Sequence, residues 1–284
     1  MVTRYGGLML AEQFCRRFGV AALIDKHVEV LKLHLPYHES DHVLAQALSL
    51  YAGGTCIEDM MHLQHDEAVL RMLGACRLPD PTTAGDFLRR FDRQKHPEAL
   101  TGLRRVTDEV QKKVWRKLAR GQERRRKRAW CVLDIDSHIK PLYGVQKQGA
   151  DFAYDGRWSY QPLLVSMAAT GECLAVRNRS GCANACAGTD ELIRDVLDNV
   201  TDHFERVLVR GDSAFDSQAL REAIEHHDGF FAFVGRAQPG RPEQSAALPN
   251  SAFRPFRNSC RPPARRATHK AWLQVTAQEA EPTT

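Results

Sequence analysis

Two short apolar, β-rich runs lie far apart in this chain, and each ends on an aspartate. The first, AWCVLDIDSH, carries Asp134 and Asp136 at its end; the second, RVLVRGDSAF, ends on Asp212. Alternation places Val132, Asp134 and Asp136 on one face of the first strand and Cys131, Leu133 and Ile135 on the other. Hard divalent cations such as Mg²⁺ take oxygen ligands, commonly one or two carboxylates together with phosphate oxygens. Carboxylates on neighbouring strand ends can hold two such ions for in-line attack on a phosphodiester. The plain alternative is a pair of acids that cap turns where strands finish.

The residues before and after the first strand differ in texture. From about Gly7 to Leu118 the apolar spacing is helical and predicts about five helices. Ser40 and Asp41 are candidate N-caps for HVLAQALSLYAGG, which Gly53 and Gly54 stop. A long amphipathic helix, PEALTGLRRVTDEVQKKVWRKLAR, closes this region. Helical domains of this kind either present a helix to DNA or act as scaffolding. From Ala129 strands take over. WCVLDID, YQPLLVSMA and ECLAVRNR read as three strands of a meander, with Lys140 to Ser159 as a polar, glycine-bearing loop. A helix follows in TDELIRDVLDNVTDHF, with Thr189 as its expected cap. Then come the strand RVLVRGD, the helix SQALREAIEHH and the strand FFAFVG. The order β-β-β-α-β-α-β describes a mixed sheet with crossover units. Proline, arginine and serine dominate from Pro239 onward, so that tail reads as irregular or disordered.

The predicted organisation is therefore a helical domain over 1–120, a basic linker over 121–128, a mixed-sheet core over 129–238 and a tail over 239–284. Hydrophobic residues make up 43% of the 284 positions, enough for a sizeable core. No apolar run approaches a membrane span. Glu12, Arg16 and Arg17 interrupt the start, against a secretory signal, so a cytosolic protein without a membrane partner is expected. The eight cysteines are scattered with no CxxC pair, which argues for reduced structural thiols over a zinc site.

Net charge is +5, and its distribution says more than its size. Lys112, Lys113, Arg116, Lys117, Arg120, Arg124, Arg125, Arg126, Lys127 and Arg128 are opposed only by Glu123 in that stretch. Such a run attracts phosphate backbones, or else is a solvated helix end. Lys147 and Arg157 flank the loop after the first strand and are candidates for DNA contact, with a solvated loop as the alternative. Arg210, just before Gly211-Asp212, either touches a phosphate oxygen or pairs with a surface acid.

These motifs together resemble the DDE transposases of bacterial insertion sequences, in the group-one DDE-domain branch. The resemblance rests on LDIDS around Asp136, GVQKQGADFAY, YQPLLVSMAATGECL, RNRSGCANA and VRGDSAF around Asp212. GGLMLAEQFCRRFGVAALID and LYAGGTCIEDMMHL in the first half add to it. It covers roughly Gly6 to Arg236 and implies a mixed α+β, α/β chain whose second half is a ribonuclease-H-like core. In that fold the first and fourth strands are neighbours, so Asp136 and Asp212 meet at one sheet edge. The resemblance makes both of them catalytic metal ligands, with Asp134 as an assisting ligand or a structural neighbour. It implies Mg²⁺, with Mn²⁺ possible, acting on double-stranded DNA at transposon terminal inverted repeats. It also implies a homodimer when active and a cytoplasmic, nucleoid-associated location. Such enzymes carry a third acid, a glutamate on a helix after the last strand. Here Glu243, Glu279 and Glu281 lie in the irregular tail, so the expectation is a core truncated, or out of frame, after about residue 238 and lacking the final catalytic helix. Two other activities stay open: a catalytically dead DNA-binding remnant that competes with intact transposase, and a non-transposing nuclease of the same fold.

Overall fold

The computed structural model describes residues 3–92, 95–120, 130–234 and 249, the side chains of 119 and 120 apart. The expected basic linker and, Pro249 apart, the expected tail lie outside the described residues. The first half consists of α1 (Leu8–Phe18), α2 (Val20–His27), α3 (Glu39–Tyr51), a 3-10 turn (Ile57–Asp59), α4 (Met60–Gln64), α5 (Glu67–Leu73), α6 (Pro81–Leu88) and α7 (Ala99–Arg120). The helices are shorter and more numerous than apolar spacing predicts, because local stop signals cut the pattern. Gly19, in the left-handed region at φ 67°, ends α1 and opens α2. Asp66 accepts the Ala68 and Val69 amides to start α5. Asp80 accepts the Thr83 amide, with Pro81 at the first position of α6.

Helix α3 begins at Glu39, two residues earlier than Ser40 as its cap would place it, with His38 at the N-cap. The Asp41 carboxylate reaches back to accept the His38 amide at 2.8 Å, as the acid of a capping box does. Ser40 instead donates its amide and its hydroxyl to Asp25 of α2, both at 2.9 Å. Two small apolar cores result. One gathers Leu8, Leu48, Met60, Leu63 and Val69; the other gathers Ile24, Val28, Val30, Phe87 and Val106.

Helix α7 joins the two halves. Near its start Gly102 lies against α2 so closely that an added Cβ would meet the His27 carbonyl oxygen at 2.0 Å. Further along, Trp115 is 4% exposed within the core of the sheet, where its indole N–H donates to Glu172 at 3.2 Å. Gln111 donates to the Cys173 carbonyl. The charged residues of this helix also have structural contacts. The Lys113 ammonium donates to the Phe18 carbonyl at the end of α1, and Lys117 lies over the Phe18 ring.

The second half is a five-stranded mixed sheet. Its strands are β1 (Cys131–Ser137), β5 (Leu163–Met167), β6 (Glu172–Arg177), β7 (Val207–Gly211) and β8 (Phe230–Phe233), with α8 (Thr189–Val200) and α9 (Gln218–Glu225) in the crossovers. The spatial order is β6-β5-β1-β7-β8. β5 is antiparallel to β1 and to β6, whereas β7 runs parallel to β1 and to β8. This is the expected meander followed by parallel crossovers, and it is the strand order of a ribonuclease-H-like sheet. Cys131, Leu133, Ile135, Val165 and Val209 bury one face against Leu192, Ile193, Val196, Leu197, Leu220 and Ile224 of α8 and α9. Gly188, rather than Thr189, caps α8; Thr189 is its first residue and donates to the Ala185 carbonyl.

The stretch expected as a loop after β1 is structured. It forms a second, three-stranded antiparallel sheet of β2 (Lys140–Pro141), β3 (Asp151–Phe152) and β4 (Trp158–Tyr160) in the order β2-β4-β3. Strands of two or three residues are too short to show alternation, so their sequence reads as loop. Among the described residues no helix is long and apolar enough to cross a membrane.

Two outcomes check this packing. Alanine ordinarily favours a helix interior over glycine by about 1 kcal/mol. Gly102→Ala should do the reverse and cost roughly 1–3 kcal/mol in urea unfolding, because backbone fills the space a methyl needs. A neutral or stabilising result would mean that α2 and α7 do not approach this closely. The second concerns His227, which joins α9 to α8 by placing Nε2 2.8 Å from Asp198 and Nδ1 3.0 Å from the Ala223 carbonyl. Burial lowers its pKa, yet the Ala223 and Asp198 contacts outweigh burial and leave the value raised. Its stabilisation is therefore complete below the unfolded-state value near ~6.5 and is lost as pH rises through the folded value. Wild type should exceed His227→Gln in Tm by more at pH 5.5 than at pH 8.5, and a pH-independent gap would exclude this linkage.

Candidate metal centre

The parallel pairing of β1 with β7 sets the geometry. Cys131, Val132, Leu133 and Asp134 pair with Val207, Leu208, Val209 and Arg210. Continuing that register two residues brings Asp136 level with Asp212, on the same face as the Asp134–Arg210 pair. Neighbouring strands lie about 4.8 Å apart, so that register sets the two residues at the ends of adjacent strands. Both residues are exposed. The opposite, buried alternation explains the glycine before Asp212. An added Cβ on Gly211 would stand 2.8 Å from Ile135 Cγ2 and 3.2 Å from the Phe233 ring.

Each acid is held at one oxygen by main chain. The Ser137 amide donates to Asp136 Oδ1 at 2.7 Å, and the Ala214 amide donates to Asp212 Oδ1 at 2.8 Å. The Asp212 turn is pinned from below by Phe215, which is 1% exposed and donates its amide to the Asp212 carbonyl. It is also pinned from the side by Cys186, whose thiol donates to the Ala214 carbonyl at 3.0 Å. Sequence reading passed over Cys186 because nothing in its spacing points to Ala214.

Asp134 and Arg210 occupy the next position down the same face. Arg210 Nε donates to Asp134 Oδ1 at 2.7 Å and Nη2 to Oδ2 at 2.8 Å, a two-pronged pair. The Asp134 carboxylate holds the Arg210 pKa above its ordinary value. Of the two readings open for Arg210, pairing with an acid is the one present here. Arg157 is likewise engaged, by Asp155, whereas Lys147 stands exposed in the loop between β2 and β3. Lys112, Lys113, Arg116 and Lys117 lie on α7, and Lys113 and Lys117 are turned toward Phe18. The Arg120 side chain and Arg124, Arg125, Arg126, Lys127 and Arg128 lie outside the described residues.

The donor set at Asp136 and Asp212 suits a hard divalent cation. It offers carboxylate oxygens at an exposed edge, with Oδ2 of each accepting no hydrogen bond among the described residues. Among the described residues no group of three or more His, Cys, Asp or Glu side chains converges on a metal position. Glu243, Glu279 and Glu281 lie outside them.

Comparison with known proteins adds the family. A model described as transposase DDE domain group 1 matches residues 1–247. A comparison with curated protein sequences finds no match. Among solved structures the chain is similar to the piggyBac transposase in a synaptic complex with hairpin DNA. That match has 12% identity and a TM-score of 0.40, and covers 86% of this chain and 50% of that one. It is also similar to the Mos1 transposase in a paired-end complex with left transposon end, at 11% identity and a TM-score of 0.26, covering 67% of this chain and 57% of that one. The Mos1 mariner paired-end complex with Mn gives 12% identity and a TM-score of 0.26, covering 78% and 65%. The chain thus spans half the length of the piggyBac protein and less than two thirds of the Mos1 chains. With most of its length matched by that model, the chain belongs to the group 1 transposase DDE domain family.

Proposed function

We propose that this chain acts on double-stranded DNA at transposon ends, as a phosphodiester-cleaving and strand-transferring DDE transposase. In this reading Asp136 and Asp212 are its catalytic carboxylates. The observation that supports the reading is the parallel pairing of β1 and β7 up to Asp134 and Arg210, two residues short of Asp136 and Asp212 on the same two strands. Mg²⁺, or Mn²⁺ in its place, is the cation the oxygen donors suit. Bound there, such ions supply a polarised phosphoryl oxygen and an activated water or 3′-hydroxyl.

The protein's own part is orientation. Asp136 and Asp212 each keep one oxygen on a main-chain amide, so the other is presented with little freedom to lose on binding. Arg210 neutralises Asp134 and occupies both of its oxygens, which removes a third negative charge from beside the pair. Asp134 is accordingly assigned to positioning rather than to the ligand set. The active form in this reading is a homodimer holding two terminal repeats.

End-labelled transposon-end duplex with Mg²⁺ or Mn²⁺ tests the assignment. Asp136→Asn and Asp212→Asn should each lose strand cleavage by about 10²-fold or more and should weaken Mn²⁺ binding measured by paramagnetic resonance. Full activity in both variants would remove the site. Salt-sensitive DNA binding by wild type with no cleavage would establish the inactive-remnant alternative, and cleavage without strand transfer the nuclease.

The ion pair makes a separate prediction. Asp134→Asn should retain Mn²⁺ binding within a few-fold. A double-mutant cycle with Arg210→Met should give a coupling of only about 0.5–1 kcal/mol in stability, because both side chains are well exposed. Loss of Mn²⁺ binding in Asp134→Asn as deep as in Asp136→Asn would return Asp134 to the ligand set.

A further inference from the structure

The proposed chemistry leaves the small sheet without a task, although it grows directly from the strand that carries Asp136. Its register places Lys140, Phe152, Trp158 and Tyr160 on one face and Pro141, Asp151 and Ser159 on the other. The second face is covered at Ser159, which is fully buried. Gly181 packs on it so tightly that an added Cβ would meet the Asp151 carbonyl oxygen at 2.3 Å and that of Ser159 at 2.7 Å. The first face therefore turns its rings outward.

Those rings are fixed. Trp158 donates its indole N–H to the Gly144 carbonyl and Tyr160 its hydroxyl to the Gln148 carbonyl. Phe152 stands edge-on against Trp158 with centroids 5.2 Å apart and is 60% exposed. At the tip of the β3–β4 turn Tyr154 is 88% exposed, on a loop held by the Arg157–Asp155 pair. Lys140 lies opposite Tyr160 in the register, and Lys147 stands exposed in the loop that accepts the Tyr160 hydroxyl at Gln148.

Chemistry and position select the occupant. Exposed rings with lysines on the same small sheet and its loop suit a ligand that is both aromatic and anionic, which is a nucleotide strand. An apolar protein partner would have to bury Lys140 and Lys147 opposite no carboxylate on this face. Bases inside a duplex hide their faces on one another, so a ring of the protein is open only to an unpaired base. β4 runs on into β5, where Leu164 pairs with Asp136. Tyr160 is then about 13 Å along the chain from the residue opposite that acid, at ~3.3 Å per residue.

We propose that Phe152 on the small sheet and Tyr154 in the turn that follows it stack an unpaired base of the DNA strand whose phosphodiester lies at Asp136 and Asp212. This rests on the reading of that sheet edge as the DNA-processing site. The test is binding of fluorescein-labelled oligo-dT and of a hairpin duplex to the full chain, in EDTA, over a range of salt. Phe152→Ala and Tyr154→Ala should each weaken oligo-dT binding roughly 5- to 150-fold without changing the salt slope, and leave duplex binding and Tm near wild type. Lys147→Ala should reduce the salt slope by about one phosphate contact, and Phe152→Trp should restore affinity. Unchanged oligo-dT affinity in both ring variants overturns the proposal. So does an absence of oligo-dT binding by wild type, an equal loss on duplex, or an effect confined to self-association in sedimentation. The titration contains no divalent ion and is repeated on Asp136→Asn. Failure of cleavage therefore leaves the stacking result standing, and failure of stacking leaves the two-aspartate assignment standing.

Discussion

Everything at the candidate site depends on one pairing, the parallel ladder between β1 and β7. A one-residue slip in that ladder would turn Asp212 to the buried face and point a charge at Ile135 and Phe233. The register is held from the core side. Leu133 and Val209 are fully buried neighbours in it, and Gly211 leaves space for Ile135 and Phe233 to close over the strand end. The apolar face thus decides where the polar face presents its acids. Asp134 and Arg210 mark the same register from the other side, since a two-pronged pair forms only when their strands are level.

Around that ladder the chain spends side chains on fixing backbone. Phe215 and Cys186 pin the Asp212 turn, and the Ser137 and Ala214 amides hold the carboxylates. A site whose ligands are already oriented loses less entropy when a cation or phosphate arrives. Helix α7 makes the comparable connection on a larger scale, with Val106 in a helical core and Trp115 in the core of the sheet.

Much of this was legible from residue order. The five strands of the main sheet announce themselves by short apolar runs, and α8 and α9 by period 3.6. The acids at the ends of LDID and VRGD were visible for the same reason. The small sheet was not, because its strands are held by pairing and by the close approach of Gly181, and neither leaves a periodic trace. Charge was read more readily than its use. Lys113 and Lys117 belong to a conspicuous basic run, yet Lys113 caps the Phe18 carbonyl and Lys117 covers the Phe18 ring. Arg210 could pair either way on sequence alone, since its choice depends on a residue in another strand.

By itself the sequence determined the class of the fold, the order of its main elements and the identity of the two strand-end aspartates. Local alternation and turn chemistry suffice for those. Only the tertiary structure decided that Asp134 is matched to Arg210, that Cys186 holds the Asp212 turn, and that Phe152, Trp158 and Tyr160 share one outward face. Each of these depends on register between segments distant in the chain, and register is set by burial across the whole sheet, which no local run of residues encodes.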